Sequence, residues 1–207
     1  MAFKGFGKKD FDLFKVQGFE KRMNAVKSTI SPKLQEIGEL LAPALSNMTG
    51  DEIFPHVARH ARRTVNPPDN TWVAFANNKR GYKKHPHFQA GLWESHFFIW
   101  FAVIDEAESK RAIAEKLSRH KEDIRKIVPE NYMWSTDHTE PEFIIHENAD
   151  LAAMMERLKT VKKAEVLCGL TISREDPILR KKEHLLNKIE ETFETVLPLY
   201  HWAMEVK

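Results

Sequence analysis

Residues 85–104 read HPHFQAGLWESHFFIWFAVI, and this run decides the fold. From His85 to Trp93 the residues alternate. Phe88, Ala90 and Leu92 point one way; His85, His87, Gln89 and Trp93 point the other. A period of two with one apolar and one polar side is the pattern of a strand. After Glu94-Ser95, the stretch Phe97 to Ile104 is apolar at every position. That predicts a central strand covered on both faces, at least in part. Upstream, Thr71 to Ala76 is rich in β-branched and aromatic residues and runs into Asn77-Asn78-Lys79-Arg80-Gly81, a turn composition. Three strands joined by short turns predict an antiparallel meander.

Outward from the meander the chain alternates between element types. Phe19, Met23, Val26 and Ile30 share one helix face. Ser31 then Pro32 reads as an N-cap followed by proline at the first helical position. The next helix carries Leu34, Ile37, Leu41, Leu45 and Met48, ends at Gly50, and has Pro43 inside it as a kink point. Residues 56–63 fit either an apolar helix stripe or a strand; the strand is preferred because Asn66-Pro67-Pro68 then links it to the meander. Ala107 to Val128 reads as helix, broken near His120. Phe143 to His146 reads as a short strand, Leu151 to Val161 as a helix, and Glu165 to Ser173 as a strand. Asp176-Pro177 opens a long C-terminal helix. Segregated strands and helices over residues 1–207 predict one α+β domain, a single mainly antiparallel sheet with helices packed on it.

The totals exclude several classes. A chain of 207 residues with 42% hydrophobic and 30% charged residues has the composition of a soluble globular domain. The longest apolar run is too short to cross a bilayer as a helix, which takes about 20 residues. The N-terminal residues are polar and lysine-bearing, without an apolar signal core. Cys168 is the single cysteine, so no intramolecular disulfide forms and a reducing cytoplasm is expected. There is no GxxxxGK and no GxGxxG phosphate loop.

A net charge of +2 argues for no partner, but the charge is not evenly spread. Residues 54–87 hold Arg59, Arg62, Arg63, Lys79, Arg80, Lys83 and Lys84, with Asp69 the only acid. The arginines offer planar donor forks suited to phosphate or carboxylate; the lysines suit a solvated turn. His85, His87 and Gln89 share a strand face with Trp93, and Tyr82 lies in the turn where a ring can stack on a ligand. The expected ligand-binding set is therefore Arg59, Arg62, Arg63, Arg80, Tyr82, His85, His87, Gln89 and Trp93, and the expected ligand an anionic small molecule. Two other readings stay open. One is an enzyme with His85 or His87 as general acid or base and arginines stabilising negative charge. The other is a surface for RNA or an acidic protein, with nucleic acid less favoured than a small anion. His56, His60, His85 and His87 do not close a coordination shell, as there is no CxxC or HExxH, so no metal is expected. No cofactor is indicated. Asp137-His138-Thr139-Glu140 before Pro141 reads as turn and capping material. Cys168 reads as core.

Several words of the chain match a known family in order. Val65-Asn66-Pro67-Pro68, Thr71-Trp72, residues 79–88 and Phe98-Ile99-Trp100 resemble the YktB-like family of Firmicute bacteria, as do Phe3-Lys4-Gly5-Phe6 and Asp137-His138-Thr139. The resemblance implies a small cytoplasmic bacterial α+β protein, loosely like the class II synthetase and biotin-ligase folds, which would suit an acyl-adenylate or nucleotide-type ligand. It implies no activity and no catalytic residue, the family being one of unknown function.

Overall fold

The computed structural model describes residues 3–61 and 63–206. Its strands are β1 (Phe54–Val57), β2 (Asn70–Ala76), β3 (His87–Trp93), β4 (His96–Val103), β5 (Met133–Ser135), β6 (Ile144–Ile145) and β7 (Val166–Ser173). They form one antiparallel sheet in the order β1-β2-β3-β4-β7-β5-β6. The helices are α1 (Lys8–Asp12), α2 (Phe19–Ala25), α3 (Ser31–Thr49), α4 (Lys110–Arg119), α5 (Lys121–Ile127), α6 (Leu151–Thr160) and α7 (Lys182–Met204). The architecture is α+β, as the strand and helix patterns predict. Among the described residues, no helix is long and apolar enough to cross a membrane.

The sheet has two buried faces of different kinds. One carries Val73, Phe75, Phe88, Ala90, Leu92, Phe97, Ile99, Phe101, Val166 and Cys168, and it meets the apolar sides of α3 and α7 in the main core. Phe88 lies between Phe193 and Tyr200 of α7, with ring centroids 4.9 and 4.8 Å away. The other face carries Trp72, Ala74, Ala76, Trp93, Phe98, Trp100, Ala102 and Leu167, joined by Ala58 and Tyr82 from loops; among the described residues no helix contributes to this cluster. Every residue of β4 is buried, as expected for a central strand. The polar side of β3 is buried too: His87, Gln89 and Trp93 are all covered. Alternation of polar and apolar side chains there marks two faces of different chemistry, not a dry face and a wet one.

Three local expectations change. Ser31 is not a cap: α2 continues through a π turn at Val26–Ile30 into α3, and the Ser31 N–H bonds to Val26 O, five residues back. Such a turn lets the ladder skip a residue where Pro32 brings no donor. The strand expected over residues 56–63 stops at Val57, because His60 takes a left-handed φ of 49° and turns the chain off the sheet. The C-terminal helix is preceded by a 3-10 turn at Pro177–Arg180, capped by Asp176. The break near His120 is present between α4 and α5. β5 was not apparent from periodicity, since three residues are too few to show one.

Close approach of strands depends on two glycines. A Cβ at Gly169 would lie 2.0 Å from the backbone oxygen of Ile99, across the β4–β7 pairing. Gly91 is similarly closed in by Thr71 O, Trp72 and Phe98. Gly169→Ala is therefore expected to destabilise the protein by roughly 3 kcal/mol, the upper end of overpacking costs. Gly81→Ala, with nothing near its would-be Cβ, should change stability by less than about 0.5 kcal/mol. Urea titration of both variants checks the pair.

Candidate ligand-binding cleft

A cleft of about 1140 Å³ opens at the β1 edge of the sheet. β1 presents His56 to the helix-free side and Pro55 and Val57 to the other, and all three line the cleft, so it wraps this edge strand. The remaining walls are residues 58–61 and 63, the turn 79–83, the start of α3 with the preceding Lys27, and His138-Thr139. Trp72 and Tyr82 form its aromatic floor. Arg22, itself buried, holds the wall segment in place through Asp69 at 2.5 Å and Pro68 O at 3.4 Å.

The charge of the lining has one sign. Lys27, Arg59, Arg63, Lys79, Arg80 and Lys83 border the cleft, and no Asp or Glu is among the described lining residues. Lys83 is balanced from outside by Glu106 at 2.8 Å. Among the described residues, no carboxylate pairs with Lys27, Arg59, Lys79 or Arg80. Arg63 donates to Pro67 O at 3.2 Å, which holds its guanidinium without neutralising it.

The imidazoles in the cleft are fixed by neighbours. His56 Nε2 meets Asn78 O at 2.8 Å, and so donates to it; His60 Nε2 meets Thr71 Oγ1 at 3.1 Å. The His60 and His138 rings both stand edge-on to Trp72, at 5.6 and 5.7 Å. Burial pushes His60 down to about 4, with Arg63, Lys27 and Lys83 adding to the shift. Burial pushes the Tyr82 hydroxyl up to about 12. At neutral pH both groups are uncharged, so the positive charge of the cleft lies on its rim.

His138 has the most complete setting. Its Nδ1 lies 2.7 Å from Glu165 Oε2, and its backbone N–H donates to the same oxygen at 2.7 Å. Glu165 is 4% exposed, and its Oε1 also accepts the Asp105 N–H at 3.0 Å. A buried carboxylate thus orients the ring, and the His138 Nε2 has no hydrogen-bond partner among the described residues. Asp137, His138 and Glu165 bring ligand atoms within 4.8 Å of one another. These atoms are already engaged: Glu165 with His138 and Asp105, Asp137 Oδ1 with the Thr139 N–H at 2.8 Å and hydroxyl at 2.6 Å. The donor set fits a hydrogen-bonded dyad and an Asx turn better than a cation shell.

The residues expected from sequence fall into three places. Arg59, Arg63, Arg80 and Tyr82 line the cleft together. Gln89 and Trp93 border a small hollow of about 10 Å³ beneath the loop 137–142, which shares His138 with the cleft. His85 and His87 line neither; Arg62 lies outside the described residues. His85 Nε2 meets Asn78 Nδ2 at 2.9 Å. His87 is 0% exposed, and its tautomer follows from its partners. Its Nδ1 lies 2.8 Å from the His85 carbonyl and must donate, so Nε2 accepts from the Gln89 amide at 2.8 Å. Both nitrogens are engaged, which leaves none for a substrate. Sequence reasoning missed His138, Trp72 and Lys27. The signal for His138 was the loop motif itself; its partner Glu165 is 27 residues away and nothing local announces it.

The buried histidines make stability depend on pH. His87 is pushed down to about 3 and His96 to about 4, both mainly by burial. The unfolded chain binds protons near pH 6.5 that the folded chain refuses. Their contribution is therefore complete above about pH 6.5 and is lost as pH falls, towards about 4 for His96 and about 3 for His87, by at most about 1.4 kcal/mol per pH unit for each group. Denaturant midpoints measured across this window should fall with acid, and His87→Gln and His96→Gln should each flatten the slope.

Comparisons with known proteins match the chain over nearly its whole length. The family model described as "Domain of unknown function (DUF1054)" matches residues 6–200. A UPF0637 protein of Bacillus velezensis is 48% identical over 204 residues, covering 97% of each chain. A UPF0637 protein of Bacillus licheniformis matches at 48% over the same shares. One from Bacillus cereus is 49% identical over 203 residues, covering 97% of this chain and 98% of its own. With its length matched almost end to end and nearly half its residues identical, the chain belongs to the DUF1054 family, the UPF0637 proteins of Bacillus among its relatives.

Proposed function

We propose that the cleft at the β1 edge binds a small polyanion, phosphorylated or carboxylated, in a cytoplasmic protein. The observation that carries this is the one-signed lining: six cationic side chains around one concavity and no carboxylate among the described residues there. Like charges held this close repel one another, and an anionic ligand relieves that cost while gaining charge-assisted hydrogen bonds. Arg59, Arg63 and Arg80 supply the donor forks; Lys27 and Lys79 add mobile charge. Tyr82 and Trp72 give the ligand an apolar surface below its charged end. The buried, reduced Cys168 suits a reducing compartment.

Thermal-shift titration with pyrophosphate, ATP and citrate tests the proposal, since a ligand that binds the native state raises apparent stability. At least one should raise the midpoint in a saturable, salt-sensitive way. Arg63→Ala and Arg80→Ala should then each weaken binding by about tenfold, the scale of one charge-assisted hydrogen bond. Affinity unchanged in both variants would remove the reading. Binding of single-stranded RNA in preference to all three small anions would replace it with a nucleic-acid surface.

A further inference from the structure

We infer that His138, held by Glu165, is a general base that makes the cleft a phosphoesterase site. The inference rests on the anion-binding reading of the same cleft. Three observations meet at this side chain. The Glu165 carboxylate is buried and takes the Nδ1 side of the ring, which leaves Nε2 with its lone pair and no hydrogen-bond partner among the described residues. His138 lines the cleft whose rim holds the cations. The ring is steadied by the edge of Trp72 at 5.7 Å. Orienting carboxylate, imidazole and a positive rim are the parts needed to activate water beside a phosphate.

The step is a hydrolysis. A water oxygen attacks phosphorus as His138 Nε2 accepts one of its protons; the new P–O bond forms as the P–O bond to the leaving alcohol breaks. The proton then passes from Nε2 to the leaving oxygen. Glu165 stays ionised throughout and stabilises the imidazolium. Arg59, Arg63 and Arg80 offset the charge gathering on the phosphoryl oxygens. Glu165 is a positioning residue, since it touches His138 and not the substrate. The same oxygens also fasten the loop through the Asp105 and His138 backbone N–H groups, so the dyad has a structural role as well.

One variant separates the two roles. In His138→Asn the side-chain amide nitrogen stands near the place of Nδ1 and donates to Glu165, while the Nε2 acceptor is gone. The probes are bis-p-nitrophenyl phosphate and p-nitrophenyl phosphate for turnover, and pyrophosphate for binding. The wild-type chain should hydrolyse at least one ester. His138→Asn should keep the thermal midpoint and pyrophosphate binding but lose turnover by on the order of 100-fold or more. Glu165→Gln should lower kcat at least tenfold with KM little changed. No hydrolysis of either ester by the wild type, or an undiminished rate in His138→Asn, would overturn the inference. Pyrophosphate binding that persists in that case leaves the anion cleft standing, whereas absent pyrophosphate binding alongside turnover would count against the cleft and not the base.

Discussion

The structure depends on covering both faces of β4. A strand whose eight residues are all buried removes a large apolar area from water, at roughly 25 cal/mol for each Å². It does so only if something lies on each side. The helices cover one side, where α3 and α7 carry the main core. On the other side no helix joins the cluster among the described residues, and its own aromatics and loops close it. Loops make a less complete cover than helices, and the cleft opens where they part at the β1 edge. The concavity is thus a consequence of how an asymmetric sandwich finishes its second face.

That second face buries polar groups, and its imidazole and carboxylate are matched, while the Trp72 indole N–H has no partner among the described residues. His87 is neutral, donating to one carbonyl and accepting from Gln89. The Glu165 carboxyl takes two backbone N–H groups and one imidazole. An unpaired charge there would cost several kcal/mol, on the order of the stability of a whole domain. Satisfied in this way, the polar groups fasten loop 137–142 to the sheet. At the opposite end of the sheet Arg174 performs a similar task, joining Glu94 and Asp12 at 2.5 and 2.7 Å and so tying the N-terminal segment to the β4 turn. Its flanking acids are held below the usual carboxylate range, Asp12 by its hydrogen bond to Arg174 and Glu94 chiefly by that to Lys15.

Much of the fold was legible in the sequence for a simple reason: period is a local property. The alternation from His85 to Trp93, the unbroken apolar run after it, and the long stripe ending at Leu197 each state which element they form. An element of three residues such as β5 carries no period and was missed, whereas the short strand read at Phe143–His146 contains β6. Local rules also failed where continuity won, as at Ser31, whose capping chemistry was overruled by a helix already running through it. Half of the candidate site was legible in the same sense, because Arg59, Arg63 and Arg80 stand in a block of one charge. The other half was not, because His138 and Glu165 belong to different elements.

By itself the sequence determined the class of the protein, the central strand, the family and the presence of a basic block; these follow from spacing, composition and matched words. The tertiary structure alone decided which cations share a cleft and that the histidine strand faces inward. It also brought a turn-like Asp-His-Thr to a buried glutamate. Those outcomes depend on distances between residues far apart in the chain, set only once the strands have paired and both faces of β4 have been covered.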